Sequence, residues 1–255
     1  MLKKYAIFTI VRNEKIFLPI WYKYYSQFFD KEDIYLIDDS TFDGSTDFLD
    51  KSQIKRISNE FAFSHQYLLD NVTLFRNELL KKYEYVIFTE SDEILFHKNF
   101  ELNDYLVSIS NRGINNVSAI GYEIFHDPDK ENVINLNDKI VNQRNYWFRN
   151  VWYDKLLISN KILNWCLGFH TTTNLQEDEK FKDDNLFLIH LHRFDYLKYL
   201  ERKLFFKHNY KHNDSPKYGS HNKFQTIKEI NDWYFSIDEN TIEKIPDFIK
   251  QLCKV

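Results

Sequence analysis

The chain has 255 residues, 43% of them apolar and 18% aromatic, with a formal net charge of −4; this suits one large domain with a sizeable core and gives no global attraction to nucleic acid. With 5 Gly and 4 Pro, long disordered linkers are disfavoured, and no apolar run approaches the ~18 residues that would span a bilayer. Cys166 and Cys253 have neither disulfide-framework nor metal-site spacing and read as two reduced thiols.

Residues 5–11 form a near-continuous apolar run, as expected of a strand covered on both faces. Arg12 and Glu14 follow at once and there is no small-residue cleavage site, so the run reads as a strand and not as a signal peptide. Apolar residues at 17, 18, 21, 24, 25, 28 and 29 have helical spacing. Residues 34–37 are a second strand, closed by Asp38-Asp39-Ser40, and Thr41-Phe42-Asp43-Gly44-Ser45 is turn chemistry with Gly44 free to take positive φ. Leu68, Val72, Phe75 and Leu79 line one face of a longer helix, and residues 85–89 form the strand that leads into Glu90-Ser91-Asp92-Glu93. In the second half, residues 117–125, 155–159 and 187–192 read as strands; His190 and His192, two apart, share a face. Residues 196–208 read as a helix. Lys198, Arg202, Lys203, Lys207, Lys211, Lys217 and Lys223 interleave with Tyr199, Phe205, Phe206, Tyr210 and Tyr218. A closing helix is expected after Pro246.

The strand–helix alternation of the first hundred residues implies a mainly parallel sheet with helices on its faces. Ligands of such sheets bind outside the carboxyl ends of the strands. Arg12-Asn13-Glu14, Asp38-Asp39 and Glu90 to Glu93 all fall at such ends. Carboxylates closing a buried strand are costly unless something pairs with them. A hard divalent cation holding a phosphate is the natural partner, which points to nucleotide-diphosphate chemistry. A solvated acidic turn is the plain alternative.

Thr9-Ile10-Val11-Arg12-Asn13-Glu14, Phe17-Leu18-Pro19-Ile20-Trp21 and Asp38-Asp39-Ser40-Thr41-Phe42-Asp43-Gly44-Ser45, taken in order, resemble the nucleotide-binding half of family 2-like glycosyltransferases of the GT-A fold. Arg76-Asn77 resembles the Arg-Asn ahead of that family's metal motif, and Glu90-Ser91-Asp92-Glu93 resembles its DxD motif with Glu in the first place. Trp165-Cys166-Leu167-Gly168-Phe169-His170 and Leu188-Ile189-His190-Leu191-His192-Arg193 resemble the branch with an "NE…FLPxW" opening. The match covers roughly residues 5–205.

The resemblance implies an α/β, Rossmann-like GT-A domain. Residues 1–110 would be the nucleotide-sugar half, and residues 111–255 the acceptor half with the C-terminal helices. It implies a metal-dependent transfer from a nucleotide-diphosphate sugar, UDP above all, to a hydroxyl of a bacterial surface glycan such as capsule or lipooligosaccharide. The acceptor would be a glycan or lipid-linked, and the enzyme cytoplasmic, at or near the inner face of the membrane. Asp92 and His190 are the expected ligands of Mn²⁺ or Mg²⁺, with His192 as runner-up to a His190 that a core role would also explain. Thr9, Arg12, Glu14, Asp38, Asp39, Arg76, Glu90 and Ser91 are the expected nucleotide-binding residues. Turn capping is the alternative for Asp38 and Asp39, and a snorkelling helix side chain for Arg76. Arg193 is a candidate for a phosphate, and His170 for the acceptor pocket.

An inverting transfer needs a base for the acceptor hydroxyl. Glu123, Asp127, Glu177 and Asp178 are candidates, and Asp127 is preferred, with a turn role before Pro128 as its alternative. The basic aromatic stretch 198–223 reads as a solvated helix face, as a lid over the diphosphate, or as a peripheral contact to an anionic membrane. Two rival functions are a nucleotidyltransferase, disfavoured because Arg12-Asn13-Glu14-Lys15 has no glycine, and a degenerate GT-A-like binding module. Nucleic acid is disfavoured as a partner by the acidic balance.

Overall fold

A computed structural model describes residues 2–58, 64–209 and 226–255. Residues 210–223 of the basic aromatic stretch lie outside the described residues. The expected α/β class is what the chain adopts. Strands β1 (Lys3–Val11), β2 (Ile34–Asp39), β3 (Ile54–Ile57) and β4 (Tyr83–Phe88) pair in parallel in the order β3-β2-β1-β4. Alternate residues of β1 serve opposite faces, as the period of two requires. Ile7 and Val11 pack with Phe17, Leu18 and Trp21 of α1 (Phe17–Tyr25). Ala6 and Phe8 pack with Val72, Phe75 and Leu79 of α2 (His65–Leu79). The sheet is therefore covered on both sides, which explains the unbroken apolar run of β1.

The predicted helix from 17 ends four residues early, at Tyr25. Ser26 caps it, its N–H donating to the Tyr22 carbonyl, and Phe28 and Phe29 pack from the turn that follows. β2 runs two residues further than expected, so Asp38 and Asp39 belong to the strand itself. The acidic segment is a turn between two strands, because β5 (Glu93–His97) begins straight after it.

The second half adds α3 (Leu102–Asn111), β6 (Asn116–Phe125), β7 (Tyr146–Arg149), β8 (Leu156–Ser159) and β9 (Phe181–Arg193). β8 joins the sheet antiparallel to β4 and to β6, while β9 lies parallel to β6 and antiparallel to β5. This register sets Glu93, His190 and Glu123 side by side on three neighbouring strands. The chain ends with α4 (Tyr196–Asn209), α5 (Ile227–Tyr234), β10 (Ile242–Lys244) and α6 (Asp247–Leu252). The closing helix after Pro246 is α6, whereas α5, with its Thr226/Glu229 capping box, went unforeseen. One apolar cluster runs from Ile7 to Val255 and ties both halves of the chain together.

Asp195 fixes where α4 starts. One of its oxygens accepts the Lys198 N–H at 3.0 Å, and the other accepts Arg144 Nη2 and the Ile134 N–H, each at 2.9 Å. The carboxylate is wholly buried, so these bonds are what make its burial tolerable. Arg202 follows seven residues on, about two turns along α4.

Among the described glycines, Gly121 of β6 faces the closest approach. A Cβ there would stand 2.3 Å from Tyr153 Cβ and 2.5 Å from the Tyr153 carbonyl carbon. The turn 151–153 lies directly on the strand, and Tyr153 stacks on His190 with ring centroids 4.1 Å apart. Gly121→Ala is therefore expected to lift this turn and to destabilise the protein by about 1–3 kcal/mol, the usual cost of overpacking. Urea unfolding of the variant against the wild type checks this; equal midpoints would contradict the contact.

Candidate active site

The carboxyl ends of β1, β2 and β4 deliver their polar residues to one edge. Asn13, at the end of β1, adopts the left-handed conformation at φ 57°, which Asn tolerates better than most residues. Its Oδ1 accepts the backbone N–H of Phe42 at 2.8 Å and of Asp43 at 3.1 Å. The turn after β2, with Gly44 at the expected positive φ of 78°, is thereby tied to β1. Arg12 reaches the same way, donating from Nε to the Asp39 carbonyl at 2.8 Å and from Nη2 to Asp39 Oδ1 at 2.9 Å. Asp38 accepts the Thr41 N–H at 2.9 Å, so the turn-capping role falls to it. Burial holds the Asp39 carboxyl above its ordinary range, against the pull of Arg12.

A second group gathers around Asp92. Its Oδ1 is 3.6 Å from His190 Nε2, and its Oδ2 is 3.7 Å from His192 Nδ1. The two imidazoles lie nearly parallel, as their shared strand face predicts, with centroids 5.5 Å apart. One ligand atom from each of Asp92, His190 and His192 lies within 4.8 Å of the others. Arg202 Nη1 also binds Asp92 Oδ2, at 2.8 Å, and Arg202 Nη2 binds Glu14 Oε1 at 2.5 Å. Burial alone would raise the Asp92 pKa, but His190 and Arg202 outweigh it and hold the carboxylate well below its ordinary value. His190 is likewise held above its ordinary value against burial, by Asp92 and Glu123. Burial, reinforced by Lys203, pushes the His192 imidazole well below its ordinary value.

The remaining acids of the turn serve a buried lysine. Lys155 Nζ binds Glu90 Oε2 at 2.5 Å and Glu93 Oε1 at 2.6 Å. Glu93 Oε2 accepts the Glu90 N–H at 2.9 Å, closing the turn. The Glu90 side chain is 40% exposed, whereas Lys155 is 1% exposed, so Lys155 is a fixed internal cation and Glu90 reaches solvent. Glu123 is wholly buried; Arg193 Nη1 donates to its Oε2 at 3.0 Å, and its Oε1 lies 3.8 Å from His190 Nδ1. Arg193 in turn stacks on Trp233 at 3.7 Å.

Thus Glu14, Glu90, Asp92, Glu93, Glu123, His190 and His192 form one connected group. Asp38 and Asp39 adjoin it through Arg12-Asn13-Glu14. Thr9 and Ser91 are buried beneath, and the Thr9 hydroxyl meets no hydrogen-bond partner among the described residues. Two expected residues point their bonds elsewhere. Arg76 is buried and donates to the carbonyls of Lys161 at 2.6 Å and Ser159 at 2.8 Å, which braces the loop after β8. Asp127 sits in the turn after β6, pairs with Lys130 at 2.7 Å and accepts the Asp129 N–H, the turn role that was its alternative.

Sequence reasoning missed Lys155 and the place of Arg202 and Lys203 within the site. The signal for Lys155 was a lysine opening a short apolar strand, where no lone charge belongs. For Arg202 and Lys203 there was only a helix-face pattern that a solvated surface would share.

No protein-family model and no curated protein matches the chain. Among solved structures it is similar to S. aureus TarS 1–349 in complex with UDP-GlcNAc, at 17% identity and a TM-score of 0.30. That match covers 52% of this chain and 37% of the other. It is also similar to S. aureus TarS 1–349, at 12% identity and a TM-score of 0.38, over 93% of this chain and 73% of that one. With S. aureus TarS the identity is 12% and the TM-score 0.38, over 93% of this chain and 44% of that one. No helix among the described residues is long and apolar enough to cross a membrane.

Burial raises the Glu14 carboxyl from 4.5 to about 7, against the attraction of Arg202. A carboxyl whose pKa is raised on folding binds more protons folded than unfolded, so its contribution is complete below 4.5 and lost as pH rises to about 7. Stability should therefore fall across that window by about 3 kcal/mol on account of Glu14. Glu14→Gln should flatten that part of the profile. Denaturation midpoints at half-unit pH steps decide it, and parallel profiles for the two proteins would refute the assignment.

Proposed function

We propose that the protein is a glycosyltransferase that takes a sugar from a nucleotide diphosphate, UDP by preference, and passes it to a hydroxyl of a surface glycan. The observation that carries this reading is the meeting of Asp92, His190 and His192 at the carboxyl edge of the parallel strands, where α/β sheets bind nucleotides. The sequence resemblance supplies the reaction class and the setting, a bacterial capsule or lipooligosaccharide pathway acting at the cytoplasmic side of a membrane.

The residues present fit a divalent cation. One carboxylate and two imidazoles suit Mn²⁺ better than Mg²⁺, which prefers an all-oxygen shell. Asp92, His190 and His192 would hold it, with His190 giving up its proton. Such a cation supplies the charge that offsets the departing diphosphate. Asp39, fixed by Arg12, and Asp38, fixed by the turn, would face the base and ribose, with Thr9, Glu14 and Ser91 beneath them. Glu90, reaching past Lys155 to solvent, would meet the sugar side of the donor. Arg76 acts at one remove, by bracing the 159–161 loop.

For the proton of the acceptor hydroxyl we prefer Glu123 to Asp127, because Glu123 stands within the cluster beside His190 and Asp127 is engaged in its own turn. On the acceptor side Trp152 is 71% exposed, and its ring edge faces His170 at 6.4 Å. An exposed indole is suited to the apolar face of a pyranose ring.

Thermal unfolding with UDP, GDP and CDP, with and without Mn²⁺, tests this reading. UDP with Mn²⁺ at about 100 times Kd should raise Tm by about 5 °C or more. Asp92→Asn should abolish the Mn²⁺-dependent part. A flat response to all three diphosphates in the presence of metal would remove the donor assignment.

A further inference from the structure

Arg202 stands where the proposed cation needs to be. Its Nη1 is 2.8 Å from Asp92 Oδ2, one of the two oxygens of the only carboxylate in the Asp92–His190–His192 group. A divalent ion among those three ligands would therefore share Asp92 with a guanidinium, two positive charges a few ångströms apart in a site shielded from water. Repulsion between them is strong there, so metal entry and the Arg202–Asp92 bond oppose each other.

The geometry also shows how Arg202 can leave. Its second bond goes to Glu14 rather than to the histidines. Its flat guanidinium lies over the Phe17 ring at 4.5 Å and the Phe206 ring at 5.3 Å, surfaces that hold a plane without fixing its rotation. Its Nε is buried and meets no hydrogen-bond partner among the described residues. A guanidinium with an unused donor beside a cation site matches the forked oxygens of a phosphate.

We propose that Arg202 is the resident cation of the site: it neutralises Asp92 and Glu14 in the empty protein, is displaced from Asp92 by the divalent ion, and then pairs with the diphosphate of the donor. This deepens the glycosyltransferase reading and rests on it. It assigns Arg202 opposite effects on the two ligands, weakening the metal and strengthening the nucleotide. A residue that merely held the fold together would change both in the same direction.

The test uses the full chain. Mn²⁺ affinity is read from the paramagnetic resonance signal of free Mn²⁺, and UDP affinity by calorimetry in saturating Mn²⁺. Arg202→Gln is expected to bind Mn²⁺ about tenfold tighter or more and UDP about tenfold more weakly, the size of one charged contact in each case. Arg202→Lys keeps the charge but loses the fork, so it should lie between the wild type and Arg202→Gln in both affinities; it carries the test alone if Arg202→Gln does not fold. If the wild type binds Mn²⁺ and UDP but the variants bind Mn²⁺ no tighter, or UDP no more weakly, the role of Arg202 is overturned and the transferase reading stands. If none of the three proteins binds Mn²⁺, both fall.

Discussion

Burying Glu14, Asp92, Glu93 and Glu123 together, with Glu90 at the rim, is the constraint on which the rest of the structure depends. Each uncompensated carboxylate in such a place would cost several kcal/mol. None is left so. Lys155 takes Glu90 and Glu93, Arg193 takes Glu123, and Arg202 spans Glu14 and Asp92. The acids come from the β1 end, the turn after β4, β5 and β6, while every one of these cations lies beyond residue 150. Neither part of the chain can bury its charges without the other. Ion pairs of this kind contribute little net stability against an apolar alternative. Their presence at the carboxyl edge of a parallel sheet is better explained by chemistry than by folding.

The sheet enforces that meeting. β9 lies between β5 and β6, and its register places His190 level with Glu93 on one side and Glu123 on the other. A slip of one residue would turn both histidines to the opposite face. Two features guard against it. The Leu191 N–H bonds the Asp92 carbonyl at 2.7 Å, and Asp195 locks the exit from β9 by capping α4 and holding Arg144. The position of Arg202 is thus set from β9, far from the acids it neutralises.

The parallel strands were legible because burial on both faces leaves a mark, an unbroken apolar run with turn residues at each end. The pairing of His190 with His192 was legible from the period of two. Asp92, His190 and Glu14 stand out in the sequence for the same reason, charge placed against an apolar strand. Other parts left no such mark. β3, β5, β7 and β10 are short, at three to five residues, and their pairing depends on neighbours that the local pattern does not record. The contacts of Arg76 and Asp127 left no mark for a related reason. A buried arginine that satisfies two carbonyls and a carboxylate that closes a turn look, in sequence, like site residues.

Glu90, the first acid of the turn after β4, has a physical role of its own. Its longer side chain ends at Lys155, not among Asp92, His190 and His192. With a lysine wholly buried beside it, the first acidic position already has a permanent positive partner. A divalent ion there would face that lysine as well as its ligands, and the repulsion would push it toward Asp92 and the histidines. Glu90 and Lys155 are therefore two halves of one arrangement. The pair holds the first carboxylate apart from the Asp92–His190–His192 group, whose one acid, Asp92, already pairs with Arg202. Under the proposed exchange, such a site would swap one positive charge for another and so keep the buried acids neutralised at every stage.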